Sequence, residues 1–398
     1  MFTLSVSTSA ILFVELTVLI PLALRAERAT VGKQRFIWQT FGYQARKQNQ
    51  MNQRKLYQWV QKISKGWSGV SRHFKANAVV FSRAVVRAES SQLRKIAGMA
   101  GGRAESQRRR LQRFVAQDQP LSEFFKNWTS SVVQALGTKQ LVLVVDETKL
   151  KASFGVMVVG VVYEGRCIPL AWRVYRANSR ADYPAEGQAE MIIQLLQVIA
   201  SGLPRGTRVR VLADRGIGTS PALMRGIMAL GWTFLFRVTK QSKIVLPDGE
   251  AVTFYDQVQA AGQTYAASGR VFKKRGRIPA HVRVLWGQQA QNRWSLVTND
   301  PALTGWEYAQ RMWIEEAFRD LKSHGWDVEN STLTDPQRMA RLWVFLVIAY
   351  AWMLLWGALL VVQGRGTRLN RLPNGSYVRR WSVFREGRQA FLALGPPF

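Results

Sequence analysis

The chain has 398 residues, 47% of them hydrophobic and 11% aromatic, which excludes a disordered polymer and leaves room for two or three domains. Its 56 Lys and Arg stand against 25 Asp and Glu, a formal net charge of +31, so a polyanionic partner is expected, nucleic acid first. A single cysteine, Cys167, excludes an intrachain disulfide and a Cys-rich zinc site, and the histidines His73, His281 and His324 lie far apart, so any metal must rest on carboxylates, which suit Mg or Mn.

Residues 1–50 form an uncertain leader. An apolar run from Leu4 to Leu24 contains Glu15 and Pro21, and no Lys or Arg precedes it, so it lacks the positive start of a secretory signal. Met51 opens a segment of good helical character and is a candidate natural start. Residues 51–138 read as a helical, basic, DNA-binding domain. Lys and Arg cluster between Arg87 and Arg113, against Glu89 and Glu105. The pattern there suits a helix-turn-helix: Gln92 to Met99 as first helix, Gly101-Gly102 as turn, and Arg103 to Ala116 as second, with Leu111, Phe114 and Val115 inward. Arg108, Arg109 and Arg113 on the second helix are the candidate DNA contacts. A plain helical hairpin with a solvated basic face fits the same pattern.

From Gln140 the texture becomes α/β. Leu141 to Val145 is an unbroken apolar run ending in Asp146, the pattern of a strand buried on both faces. Strands are predicted over Phe154 to Tyr163 and Ile168 to Tyr175, with Cys167 packed among them. A helix follows over Ala189 to Ile199, then a strand over Val209 to Ala213 ending in Asp214, a helix over Pro221 to Leu230, and a strand over Trp232 to Val238. This alternation predicts a sheet with a mainly parallel centre over 139–238. Residues 239–293 read as a small, basic, β-rich insertion. Trp294 to Thr298 resumes the core, and one helix is expected from Thr304 to Lys322. Leu342 to Val362 runs 21 residues without a charge, long enough to span a membrane. Its tryptophans are spread through the run and do not border it, so it is expected to pack on the sheet as a buried helix of a core that continues over 294–363. Residues 364–398 form a basic tail expected to dock or to contact DNA.

Asp146 and Asp214 each end an apolar strand run, where sites form in open α/β sheets, although strand-end aspartates are commonly turn or cap residues. On an α-helix at about 100° per residue, Arg311 lies about 40° from Glu315, and Tyr308 and Lys322 about 20° from it. All four then share one face, and Glu316, the rival acid, falls about 100° away. A solvated charged face with an i,i+4 ion pair is the plainer alternative.

Tyr308-x2-Arg311-x3-Glu315-x6-Lys322, with Asp146-Glu147-Thr148 and Asp214-Arg215-Gly216 before it, resembles the Tyr-Arg-Glu-Lys signature of a family of bacterial insertion-sequence transposases of the DDE class. The resemblance covers roughly residues 52–390. It implies an RNase H-like catalytic core with a β-rich insertion, and metal-dependent cleavage and strand transfer of transposon ends. It implies two Mg or Mn ions, with Asp146 bridging both and Asp214 and Glu315 holding one each. Tyr308, Arg311 and Lys322 would hold phosphates near the cut, and Trp294 would stack on a flipped base; Trp286 and Trp306 are rivals for that place. The implied partners are double-stranded DNA, as terminal inverted repeats and target, and a second copy in a synaptic complex, in the cytoplasm at the nucleoid. A catalytically inactive protein that only binds transposon ends is the alternative.

Overall fold

The computed structural model describes residues 58–392, except 152, 164, 178–182, 273–275, 366–368, 372–376 and 380. The leader over 1–50 and the candidate start at Met51 lie outside the described residues. The chain forms two compact units. One comprises residues up to Glu123, Ser131–Gly137 and Arg319 onward; the other comprises Phe124–Ser130 and Thr138–Phe318.

The first unit is helical. After a helical segment over 58–65 come α1 (Arg72–Ala88), α2 (Leu93–Met99), α3 (Ala104–Val115) and the ends of α4 (Ser122–Leu136). The Ser71 hydroxyl accepts from the Phe74 N–H at 3.1 Å and starts α1; Gly137, at φ 63°, ends α4 where a side chain would strain the left-handed backbone. The pair α2 and α3 falls where the helix-turn-helix pattern put it, with Ile96, Leu111, Phe114 and Val115 inward. Much later comes α9 (Pro336–Val362), opened by Pro336 and by Asp335, whose carboxylate accepts from the Arg338 N–H at 2.8 Å. Phe345 of α9 meets Phe81 of α1 at 5.4 Å and Phe114 of α3 at 4.7 Å between ring centroids. The expected place for this helix was the sheet; its aromatic partners are helices. Among the described residues it is the one helix long and apolar enough to cross a membrane, and 72% of its most apolar window is buried. The tail supplies a hairpin, β11 (Leu369–Arg371) with β12 (Tyr377–Arg379), and α10 (Val383–Leu392), which docks on α9.

The second unit is a mixed sheet. Its strands are β1 (Gln140–Leu150), β2 (Phe154–Tyr163), β3 (Arg166–Arg176), β4 (Arg208–Ala213), β5 (Thr233–Arg237), β6 (Lys243–Val245), β7 (Ala251–Thr253), β8 (Thr264–Val271), β9 (Ile278–Leu285) and β10 (Trp294–Thr298). Among the described residues they form one ten-stranded sheet in the order β3-β2-β1-β4-β5-β10-β9-β8-β6-β7. Only β1, β4 and β5 run parallel; the remaining pairs are antiparallel. The half β3-β2-β1-β4-β5 is compatible with an RNase H-like core. The stretch 239–293 is β-rich as expected, and its strands β6, β7, β8 and β9 extend this sheet. Helices α5 (Gly187–Ser201), α6 (Arg215–Gly218) and α7 (Pro221–Ala229) belong to this unit, as do the 3-10 segments Phe254–Gln257 and Trp306–Met312 and α8 (Trp313–Leu321) as far as Phe318. Residues 124–130 of α4 lie on β3, where Trp128 donates to the Pro169 carbonyl at 2.9 Å and Phe125 meets Trp172 edge-on at 4.8 Å. Cys167 is fully buried in β3, as strand packing required.

Candidate active site

All three predicted carboxylates sit in the sheet unit, on separate elements. Asp146 does not end its strand. Antiparallel pairing with β2 carries β1 on to Leu150, and Asp146 faces Val158 in that register. Its parallel neighbour β4 stops at Ala213, opposite Val145, so Asp146 is the first β1 residue beyond that pairing. Asp214, directly after β4, caps the short α6: one oxygen accepts from the Ile217 N–H at 3.2 Å. The plain cap function and a place in the site coexist, because the other oxygen is free to face elsewhere. Glu315 lies in the first turn of α8.

The expected single helix from Thr304 to Lys322 is corrected. Residues Trp306–Met312 form a 3-10 turn, and the α-helix begins only at Trp313. The cause is local: Gly305 takes φ 99°, and the Glu307 carboxylate folds back to accept from the Gly305 N–H at 2.8 Å and the Thr304 hydroxyl at 3.1 Å. Tyr308 and Arg311 still share a face, because residues three apart eclipse in a 3-10 turn. Lys322 follows the end of α8 and belongs to the helical unit, where its ammonium pairs with Glu329 at 3.5 Å.

Arg311 is the hub. Its Nη2 lies 2.8 Å from Asp146 and 3.9 Å from Asp214, and its Nη1 bonds to Glu315. Its side chain is 11% exposed, and its Nε is buried without a hydrogen-bond partner. Glu316 is not among the carboxylates it touches. Burial opposes the charge of this guanidinium, but Asp146 first, then Tyr308, Glu315 and Asp214, outweigh it and hold its pKa above the ordinary value. Burial pushes Asp146 the other way for an acid, up to about 6; Arg311 opposes that rise and Asp214 adds to it. Burial likewise raises the Tyr308 phenol, against Arg311 and Arg237, so it remains a neutral donor.

Beside the hub opens a cleft of about 350 Å³ lined by Asp214, Arg215, Arg237, Lys240, Asn292, Trp294, Tyr308, Arg311 and Met312. Trp294, half-buried at the start of β10, meets Tyr308 edge-on at 5.2 Å and Trp306 at 6.2 Å. Sequence reasoning singled out neither Arg215 nor Arg237 and Lys240 as site residues. The signal was present: Arg215 adjoins Asp214, and Arg237 ends the strand parallel to the one that leads into Asp214.

Hard carboxylate oxygens converging on one cation are the donor chemistry that Mg or Mn takes. As the side chains stand, that cation is Arg311, and among the described residues no three acids, histidines or cysteines are gathered around a shared metal position. The fit to a divalent ion is therefore one of donor type and convergence.

The predicted DNA contacts on α3 lie in the helical unit. Arg109 is 72% exposed, and it and Arg108 both bond to Glu105, at 3.0 and 2.8 Å. Arg113 is exposed. Arg110 turns inward to Asn77 at 2.6 Å and is spent on packing.

The family model for the transposase DDE domain matches residues 137–352, more than half of the chain and the whole of the carboxylate cluster. No curated protein gives a significant match. A match of that length, which includes Asp146, Asp214 and Glu315, means that the chain belongs to the DDE transposase family.

Proposed function

We propose that this chain cuts and joins the ends of an insertion sequence, using divalent ions held by Asp146, Asp214 and Glu315. The observation that carries the reading is the meeting of these three side chains, from β1, the start of α6 and α8, on the single guanidinium of Arg311. When bound, Mg or Mn ions supply an activated water or 3′-hydroxyl and stabilise the leaving oxygen. Around them the protein's own groups orient the strand. Tyr308 donates as a neutral phenol, and Arg311 offers a planar fork that matches phosphate geometry. Arg215, Arg237 and Lys240 make the cleft wall cationic and draw the backbone in.

The Tyr-Arg-Glu-Lys spacing supports a place in the insertion-sequence group with that signature, in which Lys322 is expected to contact phosphate. Trp294 lies on the cleft, where an extruded base can stack; such stacking is worth about 1–3 kcal/mol per base. Arg108, Arg109 and Arg113 of α3 are the proposed contacts of the DNA-binding helices, and the active species is a dimer that pairs two ends.

The deciding experiment incubates the protein with duplexes from the ends flanking its own gene, in Mg and in chelator. Nicking at the ends in Mg alone is expected. Retained binding without any nicking leaves the end-binding alternative. Trp294→Ala should spare the first nick and lower the yield of hairpin ends; normal hairpin yield removes Trp294 from the site.

A further inference from the structure

Arg311 is given two tasks that exclude each other. In the structure its guanidinium is the counter-cation of Asp146, Asp214 and Glu315, with N–H groups on oxygens of Asp146 and Glu315 that a divalent ion would need. In the function proposed above, those oxygens hold ions and the same guanidinium holds DNA. A residue that serves one set of partners or the other is a switch.

We propose that Arg311 keeps the carboxylate site closed to divalent ions until a DNA phosphate draws its guanidinium away, so that metal and DNA load together. This rests on the assignment of the three carboxylates as metal holders.

The chemistry supports both positions. Like charges held close are costly without a cation, so the carboxylates retain Arg311 whenever no metal is bound. Yet Arg311 is imperfectly satisfied there. Its Nε–H is buried with no acceptor, and Asp214 stands at 3.9 Å, beyond hydrogen-bond reach. A phosphate in the adjoining cleft offers several acceptors in the planar geometry that a guanidinium prefers. That cleft reaches Arg311 and is lined by Arg215, Arg237 and Lys240, so phosphate is attracted to where the transfer must occur. Once Arg311 turns to phosphate, three carboxylates lose their counter-cation together, and divalent ions replace it. By linkage, metal then raises DNA affinity by the factor by which DNA raises metal affinity.

The test measures Mn binding to the full chain, from the electron paramagnetic resonance of free Mn, with and without a transposon-end duplex already cut. For the wild type, the duplex should tighten Mn binding about tenfold or more, within the usual range of coupled sites. Arg311→Gln should bind Mn about tenfold tighter than wild type without DNA, and the duplex should then add little. Arg311→Lys, whose single ammonium spans fewer carboxylates, should fall between. Equal or weaker Mn binding by Arg311→Gln overturns the proposal. If that variant does not fold, wild-type Mn affinity and DNA dependence in Arg311→Lys overturn it instead. Adding Asp146→Asn to the Arg311 variant separates the two ideas. Tight Mn binding that survives this change rejects the carboxylate site itself. Binding that is lost, with no difference between Arg311→Gln and wild type beforehand, rejects only the switch.

Discussion

At Arg311 a largely buried cation holds three acids from three elements, and its loss is felt by all of them. Removing one partner of a buried ion pair costs about 3–5 kcal/mol, because the other charge stays buried and unmet. Arg311→Met should therefore lower unfolding stability in chelator by about 3 kcal/mol, by the same reasoning, and Mg should restore part of it. Urea unfolding with and without Mg checks both; a loss that Mg does not lessen speaks against a shared site. At this scale the sequence was informative about identity and less so about duty. Asp146 and Asp214 stood out as the ends of apolar runs, although Asp146 lies inside β1, and Glu315 stood out by motif spacing. Arg311 was read as a phosphate contact or as one half of an i,i+4 ion pair, and the pair with Glu315 is present; neither reading placed it among three acids, since spacing tells which side chains share a face and not which one fills the centre. Arg110 shows the same limit: in a run of three arginines, only packing against Asn77 and Phe81 distinguishes it from its exposed neighbours.

Among the elements, α9 and α10 approach closely enough that two glycines face opposing backbone. A Cβ at Gly357 would meet the Val383 carbonyl, and one at Gly387 the Met353 carbonyl. Gly357→Val should cost about 1–3 kcal/mol as overpacking. Gly98→Ala in α2, where a Cβ meets nothing, should be neutral or stabilising by about 0.5–1 kcal/mol. Thermal unfolding of both variants tests this pairing, and equal effects would deny the contact. For α3, Arg109→Ala and Arg113→Ala should each weaken binding across DNA sequences and reduce the salt slope by about 1 if they neutralise phosphates. An unchanged slope assigns them to solvent. The strands and most helices were legible because their apolar runs and caps are local signals. The 3-10 turn before Glu315 was not, because it is set by Gly305 in a left-handed conformation and by the Glu307 side chain folding back. The partners of α9 were not legible either, since a helix apolar all round does not reveal which surfaces cover it.

For the molecule as a whole, the charge of +31 marks a polyanion binder, and membership of the DDE transposase family gives that charge its purpose. A parallel centre was expected over 139–238, and β1, β4 and β5 do run parallel, but the antiparallel β2 and β3 beside them were not separable by pattern, because a strand buried on both faces reads the same in either direction. The central claim is that Asp146, Asp214 and Glu315 together hold the ions that cut DNA. Its most direct test is strand cleavage of a transposon-end duplex in Mg by Asp146→Ala, Asp214→Ala and Glu315→Ala beside the wild type, with duplex binding measured in parallel. Loss of several kcal/mol of metal assistance predicts cleavage lowered by about a thousandfold or more in each, with end binding largely intact. Cleavage at the wild-type rate by any one of the three would contradict it.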